Sequence, residues 1–283
     1  MKVILTGASG FIGKHIAGVL CDQNIQVVAL SRTKPTGLPI DFIQFNLVNP
    51  NYEKLNQIGT IDAIIHCSSI MADSSNLKNY SLLYDNLKMS ETVVELCKML
   101  NVKQLINLSS IAIYPNIDGE YSEKSMVKVS DNNDAIYGLS KLCAENLYDF
   151  LLGKKEKKKV VNLRISQVYG VGMRTDRTYH IMLNELKEKN TVTVFSNGIR
   201  VSNFVSVEKV VKVVLFFLTN NENTGVYNLG GENLSYQALA QKLINEHGNA
   251  NSKVILVDRG VQSKFYLNTN KLSKLMGDKL NDL

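Results

Sequence analysis

MKVILTGASGFIGKHIAGVL, residues Met1 to Leu20, decides the fold. Lys2 to Leu5 reads as a short buried strand. Gly7, Gly10 and Gly13 follow at three-residue spacing, and Phe11, Ile12, Ile16, Val19 and Leu20 mark the apolar face of a helix. Side chains at those glycines would block a tight turn, the approach of backbone amides to a pyrophosphate, and the packing of helix on strand. The amides and the positive end of the helix dipole then suit an anion. Strand, glycine turn and helix in this order predict a dinucleotide-binding unit, with Gly7, Ser9, Gly10, Phe11, Ile12 and Gly13 around the phosphates.

Farther along, strand-like runs at Val3 to Leu5, Gln26 to Leu30, Phe42 to Phe45, Ala63 to His66, Leu105 to Leu108 and Val160 to Arg164 alternate with helical patterns. That rhythm predicts an α/β fold, a doubly wound parallel sheet of Rossmann type covered on both faces. Ligands then bind beyond the carboxyl ends of the strands, where Gly7, Arg32, Ser68 and Ser110 lie. After Gly170 the pattern becomes a helix from about Tyr179 to Lys189, a strand at Thr193 to Phe195, a valine-rich helix near Glu208 to Leu218, and a final helix, strand and helix. The expected division is 1–170 for the dinucleotide and 171–283 mainly for a small substrate domain, with segments near 200–230 returning to the sheet.

With 283 residues, 45% of them apolar, the chain can bury a full core. No apolar run is long enough to span a bilayer, and the N-terminal run enters a glycine turn where a signal peptide would continue; the expected location is the cytoplasm, with no membrane partner. Cys21, Cys67, Cys97 and Cys143 are scattered, and the four histidines stand at no ligand spacing to them, so neither a metal site nor a disulfide framework is expected. Much of the net charge of +6 sits in GKKEKKK (Gly153 to Lys159), which reads as a solvated loop. No aromatic residues interleave those lysines, so nucleic acid is not the expected partner. The positive excess would instead draw an anionic substrate.

Tyr137 and Lys141, at i and i+4 of a helical pattern, share one face. A free tyrosine, with a pKa near ~10, is a poor acid–base group at neutral pH. A neighbouring ammonium favours its phenolate and brings it into range.

The GxxGxxG of TGASGFIG, the strand LINLSSIAIYP (Leu105 to Pro115) and YGLSK (Tyr137 to Lys141) together resemble the extended short-chain dehydrogenase/reductase family. VVNLRISQVYG (Val160 to Gly170), NFVSVEKVV (Asn203 to Val211) and GVYNLGG (Gly225 to Gly231) resemble signposts of its NAD(P)-dependent nucleotide-sugar epimerases, dehydratases and reductases. The resemblance implies a catalytic Tyr137, a Lys141 that also holds the nicotinamide ribose, and a catalytic serine four residues before the tyrosine of the Ile113-Tyr114 pair, which is Ser110. Ser109 is then structural. Dehydratases carry Asp-Glu immediately after that serine, whereas Ile111 and Ala112 stand here and disfavour dehydration.

The end of the second strand reads the cofactor. The family usually places a carboxylate there for the adenosine ribose hydroxyls, but this chain has Ser31, Arg32, Thr33 and Lys34. Arg32 suits a 2′-phosphate, or is a solvated loop arginine; NADP(H) is preferred and NAD(H) is the alternative. Asn46 and Leu47 match the family's Asp-Leu beside the adenine, and Ser68 completes the implied cofactor contacts. For a nucleotide-sugar substrate the resemblance implies Ser110, Gln167, His180, Arg200 and Asn203. Asn203 replaces an arginine that clamps the diphosphate, with Arg200, Arg174 and Arg177 as candidate substitutes, and His180 is either a functional residue or a surface residue at a helix start. The family also implies a homodimer through the helices of about Ser81 to Leu100 and Ile136 to Leu152. The leading expectation is an NADP(H)-dependent reductase of a 4-keto-6-deoxy sugar nucleotide. The alternatives are a 4-epimerase and, remotely, a dinucleotide-sensing regulator without turnover.

Overall fold

Val3, Ile4 and Leu5 are wholly buried, as a strand covered by helices on both faces must be. The computed structural model describes residues 1–73, 77, 79–220 and 222–277. In chain order the strands are β1 (Lys2–Thr6), β2 (Gln26–Ser31), β3 (Asp41–Gln44), β4 (Ala63–His66), β5 (Gln104–Ser110), β6 (Gly119–Tyr121) and β7 (Lys159–Ile165), followed by β8 (Gln167–Tyr169), β9 (Thr191–Phe195), β10 (Val201–Ser206), β11 (Gly225–Leu229), β12 (Glu232–Ser235), β13 (Lys253–Val257) and β14 (Phe265–Leu267). The α-helices are α1 (Phe11–Asp22), α2 (Tyr80–Met99), α3 (Ala135–Leu147), α4 (Thr178–Lys189), α5 (Val207–Thr219), α6 (Tyr236–His247) and α7 (Asn270–Met276).

Seven strands form the large sheet in the order β11-β7-β5-β4-β1-β2-β3. The pairs β1 with β2 and β1 with β4 are both parallel, with Val3 opposite Val27 on one side and Ala63 on the other. Strand order therefore reverses between β1 and β4, and a crevice opens beyond their carboxyl ends. The α/β doubly wound reading is met, with β11 as a seventh strand.

The chain divides into two compact units. The first comprises Met1–Pro115, Met126–Ile165 and Val210–Tyr227. Its core joins Ile4, Val28 and Leu30 from the sheet, and Phe45 and Leu47 just beyond β3, to Val93, Leu96 and Tyr148 from the helical layer. The GKKEKKK tract begins inside helical structure, because a π-helical segment, Tyr148–Lys155, continues α3 and buries Leu152. The loop expected there is only the remainder, with Lys157 in the left-handed region (φ 55°).

The second unit comprises Asn116–Ser125, Ser166–Lys209 and Asn228–Leu283. Residues 116–125 and 166–170, placed with the dinucleotide half by the 1–170 division, belong to this unit. A three-stranded sheet, β12-β10-β8, is joined by the parallel pairs β13-β9 and β14-β6. Helices α4 and α6 cover a core of Met182, Leu186, Val192, Val194, Phe204, Leu239 and Leu243. Where one final strand was expected there are two. The short FYL of β14 has too few residues to show a period and exists through its pairing with the distant β6. Among the described residues no helix is long and apolar enough to cross a membrane.

Candidate functional site

The glycine turn is held where β1 meets β4. Gly7 has φ +73°, and a Cβ on it would lie 2.9 Å from backbone atoms of Cys67 and Ser68. A Cβ on Gly13 would lie 2.1 Å from the Gly7 carbonyl oxygen, so α1 packs against the turn as only glycine permits. Gly10 caps α1 without a side chain, and no acid stands in the first turn. The N–H groups there are left to an anion, and the chain fits a dinucleotide pyrophosphate at this place. Ser9 is exposed, and Phe11 and Ile12 are half-buried on the first turn.

Thr6 fastens this turn from below. Its Oγ1 accepts the N–H groups of Cys67 and Ser68, both at 3.2 Å, and lies 2.8 Å from Nδ1 of His66. With both lone pairs taken, the hydroxyl donates its proton to Nδ1, and the ring is the neutral tautomer protonated on Nε2. Burial first, then the charge of Lys141, pushes His66 down to about 3. Sequence reading passed over this pair, whose only signal is a polar residue at the end of each of two adjacent buried strands.

Tyr137 and Lys141 share one buried face of α3. Lys141 Nζ donates to the Leu108 carbonyl at 2.9 Å and lies 5.6 Å from the centroid of the Tyr137 ring. Burial pulls this ammonium down to about 8. Ser110 ends β5, and its Oγ accepts the N–H of Ala112 at 3.1 Å, which starts the 3-10 turn Ile111–Ile113. The first turn of α3 lies directly on that turn, because a Cβ on Gly138 would come within 2.2 Å of the Ala112 oxygen. Ser110, Tyr137 and Lys141 are thereby gathered at one edge of the first unit.

A second tie was missed in the sequence. Glu145 lies one turn beyond Lys141 on the same face and is buried against Arg164 of β7. Arg164 Nη2 donates to Oε2 at 2.8 Å and Nε to Oε1 at 3.1 Å, while Nη1 donates to the Tyr114 hydroxyl at 2.9 Å. Ser109 Oγ also donates to Glu145. Ser109 is therefore a brace, as expected of it. The available signal was an acid on an apolar helix face and an arginine within the apolar strand VVNLRI, which had to pair if both were buried.

At the ends of β2 and β3 a pocket of about 380 Å³ is lined by Arg32, Gln44, Asn46, Asn51 and Lys54, among others, with no carboxylate in its lining. Ser31 Oγ is turned inward to the Thr33 carbonyl at 2.7 Å. Asn46 is exposed, whereas the Leu47 side chain is built into the core and its carbonyl accepts from Thr92 Oγ1 at 2.7 Å. Leu47 therefore has only its backbone to offer an adenine.

Gln167, His180, Arg200 and Asn203 all fall in the second unit. Gln167 Nε2 donates to Ser202 Oγ at 2.6 Å, and His180 is half-buried in the first turn of α4. The guanidinium of Arg200 lies 5.1 Å from the Tyr236 ring centroid. Arg174 is taken up by Asp176 at 2.6 Å. Asn203 departs from its expected diphosphate contact. It is wholly buried, its Oδ1 accepts from Gly231 N at 2.9 Å, and its Nδ2 donates to Asn233 Oδ1 at 2.9 Å. Wholly buried and bonded through both its oxygen and its NH₂, this amide braces the Gly230-Gly231 turn.

The model of the NAD dependent epimerase/dehydratase family matches residues 3–230, and the chain belongs to that family. It is similar to dTDP-D-glucose 4,6-dehydratase of Dictyostelium discoideum, 24% identical over 86% of this chain and 62% of that protein, so it spans about three fifths of that relative's length. It is also similar to an uncharacterized UDP-glucose epimerase, YtcB, of Bacillus subtilis, 23% identical over 98% of this chain and 92% of the relative. Among solved structures, UDP-glucuronic acid 4-epimerase from Bacillus cereus in complex with NAD superposes with a TM-score of 0.80 at 23% identity, covering 97% of this chain and 90% of that one.

Proposed function

We propose that this chain is an NADP(H)-linked reductase acting on the 4-keto group of a nucleotide sugar. The observation that carries the cofactor choice is the pocket at the ends of β2 and β3, where Arg32 and Lys54 line a space free of carboxylates. A carboxylate would repel a 2′-phosphate, whereas a guanidinium binds one through charge-assisted hydrogen bonds. Bound nicotinamide would supply the hydride.

The chain's own residues supply the proton and hold the sugar. The Tyr137 hydroxyl donates its proton to the carbonyl oxygen as that oxygen gains negative charge, and Ser110 Oγ donates a hydrogen bond to the same atom. Lys141, kept in place by the Leu108 carbonyl, lowers the cost of the resulting phenolate and holds the nicotinamide ribose. Ile111 and Ala112 offer no acid or base for eliminating water, which speaks against the dehydration performed by the Dictyostelium relative. In the second unit, Gln167, His180 and Arg200 are proposed substrate contacts, with Arg200 the cation for the diphosphate.

A second reading, 4-epimerase on retained NAD, is favoured by the likeness to the UDP-glucuronic acid 4-epimerase from Bacillus cereus and to the uncharacterized UDP-glucose epimerase of Bacillus subtilis. One experiment separates the two: 4-keto and 4-hydroxy nucleotide sugars are supplied with NADPH, and cofactor absorbance and sugar NMR are followed together. Stoichiometric NADPH oxidation with formation of a 4-hydroxy product supports the reductase. Interconversion of two sugars at constant absorbance rejects it.

A further inference from the structure

We propose that one water is built into the large sheet beneath the glycine turn, where it accepts the Nε2–H of His66 and donates to Oδ1 of Asn107.

In a parallel sheet, partner residues of adjacent strands share a face and stand about 4.8 Å apart. Thr6 of β1 is the partner of His66 in β4, His66 of Asn107 in β5, and Asn107 of Asn162 in β7. Four polar side chains thus form one row across four neighbouring strands. Each is at most 3% exposed. The ring of Tyr148, perpendicular to that of His66 with 6.2 Å between centroids, covers the row from the helical layer.

Burying an amide oxygen without a hydrogen bond is costly, so such a row has to close. Two of its three gaps are closed within the protein. Thr6 Oγ1 donates to His66 Nδ1 at 2.8 Å, and Asn107 Nδ2 donates to Asn162 Oδ1 at 2.8 Å. Both bonds turn their groups away from the middle gap, which leaves the Nε2–H of a neutral His66 on one side and Asn107 Oδ1 on the other. That oxygen is buried and has no protein partner. Donor and acceptor face one another across the gap, and a water takes the one bond and gives the other. Every bridging hydrogen in the row then points from β1 towards β7.

The row begins directly behind the turn. Because Thr6 gives its hydrogen to His66, its two lone pairs are left for the N–H groups of Cys67 and Ser68, the backbone against which Gly7 is packed. By keeping the His66 proton on Nε2, the water preserves that arrangement. Asn107 is thereby a positioning residue for the dinucleotide, acting through the water, His66 and Thr6. This consequence rests on the dinucleotide reading of the turn, whereas the water does not.

The test uses the full chain with isotope-labelled histidine, free of ligand, in NMR. His66 is assigned by elimination with His15→Gln, His180→Gln and His247→Gln, three positions that are not buried. Its proton should lie on Nε2 and should show cross-relaxation with a long-lived water. A proton on Nδ1, or an Nε2–H without a water contact, overturns the proposal. Asn107→Leu should abolish the water signal and weaken NADH and NADPH alike by roughly threefold to tenfold in titrations. A lost water signal with both affinities unchanged overturns the positioning role of Asn107. Where Asn107→Leu does not fold, the spectrum of the unmodified chain decides. If the unmodified chain binds neither dinucleotide, the reading of the turn falls and the role of Asn107 with it, while the spectrum still decides the water.

Discussion

Glu145 on α3 and Arg164 on β7 form a buried two-pronged ion pair, at 2.8 and 3.1 Å, with side chains 4% and 7% exposed. Because Glu145 shares its helix face with Tyr137 and Lys141, the pair locks the helix that carries them to the sheet that carries Ser110. Removing one partner strands a buried charge. Glu145→Leu should therefore cost about 3–5 kcal/mol of stability, while Glu145→Leu with Arg164→Met should cost clearly less than the sum of the two single changes. Urea unfolding of the four proteins checks this, and additive losses would show that the pair is uncoupled.

Gly138 governs how closely α3 approaches Ser110. A methyl group there meets the Ala112 oxygen at 2.2 Å, so Gly138→Ala must lift the first turn of α3 and displace Tyr137. Turnover should fall by about tenfold or more. Gly153→Ala, where the nearest atom stands at 3.5 Å and belongs to a side chain, is the comparison and should leave turnover unchanged. Equal activity of the two variants contradicts the packing argument.

His66 makes the first unit sensitive to acid. Its pKa is about 3 in the folded chain against 6.5 when free, so the unfolded state binds the extra proton first. The contribution is fully present above pH 6.5 and is lost as the pH falls towards 3, by at most about 5 kcal/mol. Stability of the unmodified chain should drop across that window more steeply than that of His66→Gln. Parallel curves for the two proteins would remove His66 as the cause.

Lys141 titrates within reach of ordinary buffers. Burial brings it to about 8, so the side chain is an ammonium below that pH and an amine above it. NADPH affinity should weaken as the pH rises through about 8, and Lys141→Met should bind weakly with no such step. Tyr137→Phe should retain the binding step while turnover falls by roughly two powers of ten. Titrations from pH 6.5 to 9.5 decide this.

Tyr80 and Tyr84, one turn apart on α2, are 69% and 63% exposed. Large aromatic rings on the open face of a helix suit an interface, in line with the homodimer expected through this helix. Light scattering at micromolar concentration should give twice the chain mass, and Tyr84→Arg should reduce it to a monomer. An unmodified monomer rejects the assembly.

The sequence by itself determined the elements whose chemistry is local. A tight turn against a neighbouring backbone admits only glycine, so Gly7 and Gly13 could be recognised from spacing alone. The inner strands of the large sheet were legible because burial on both faces demands apolar runs, whereas the edge strand β3 is half-exposed and showed itself only through Phe42 and Ile43. Tyr137 and Lys141 were legible because a helix fixes i and i+4 on one face. What only the tertiary structure decided concerns groups brought together by pairing across long stretches of chain. Asn203 changes from an expected ligand contact to a brace because Gly231 and Asn233 come round to occupy its amide. Residues 116–125 join the second unit because β6 finds β14, nearly 150 residues away. Lys54 and Arg32 line one pocket only because β3 lies beside β2. None of these leaves a period or a local motif, since a side chain's partners across a sheet depend on strand order, which a stretch of sequence does not contain.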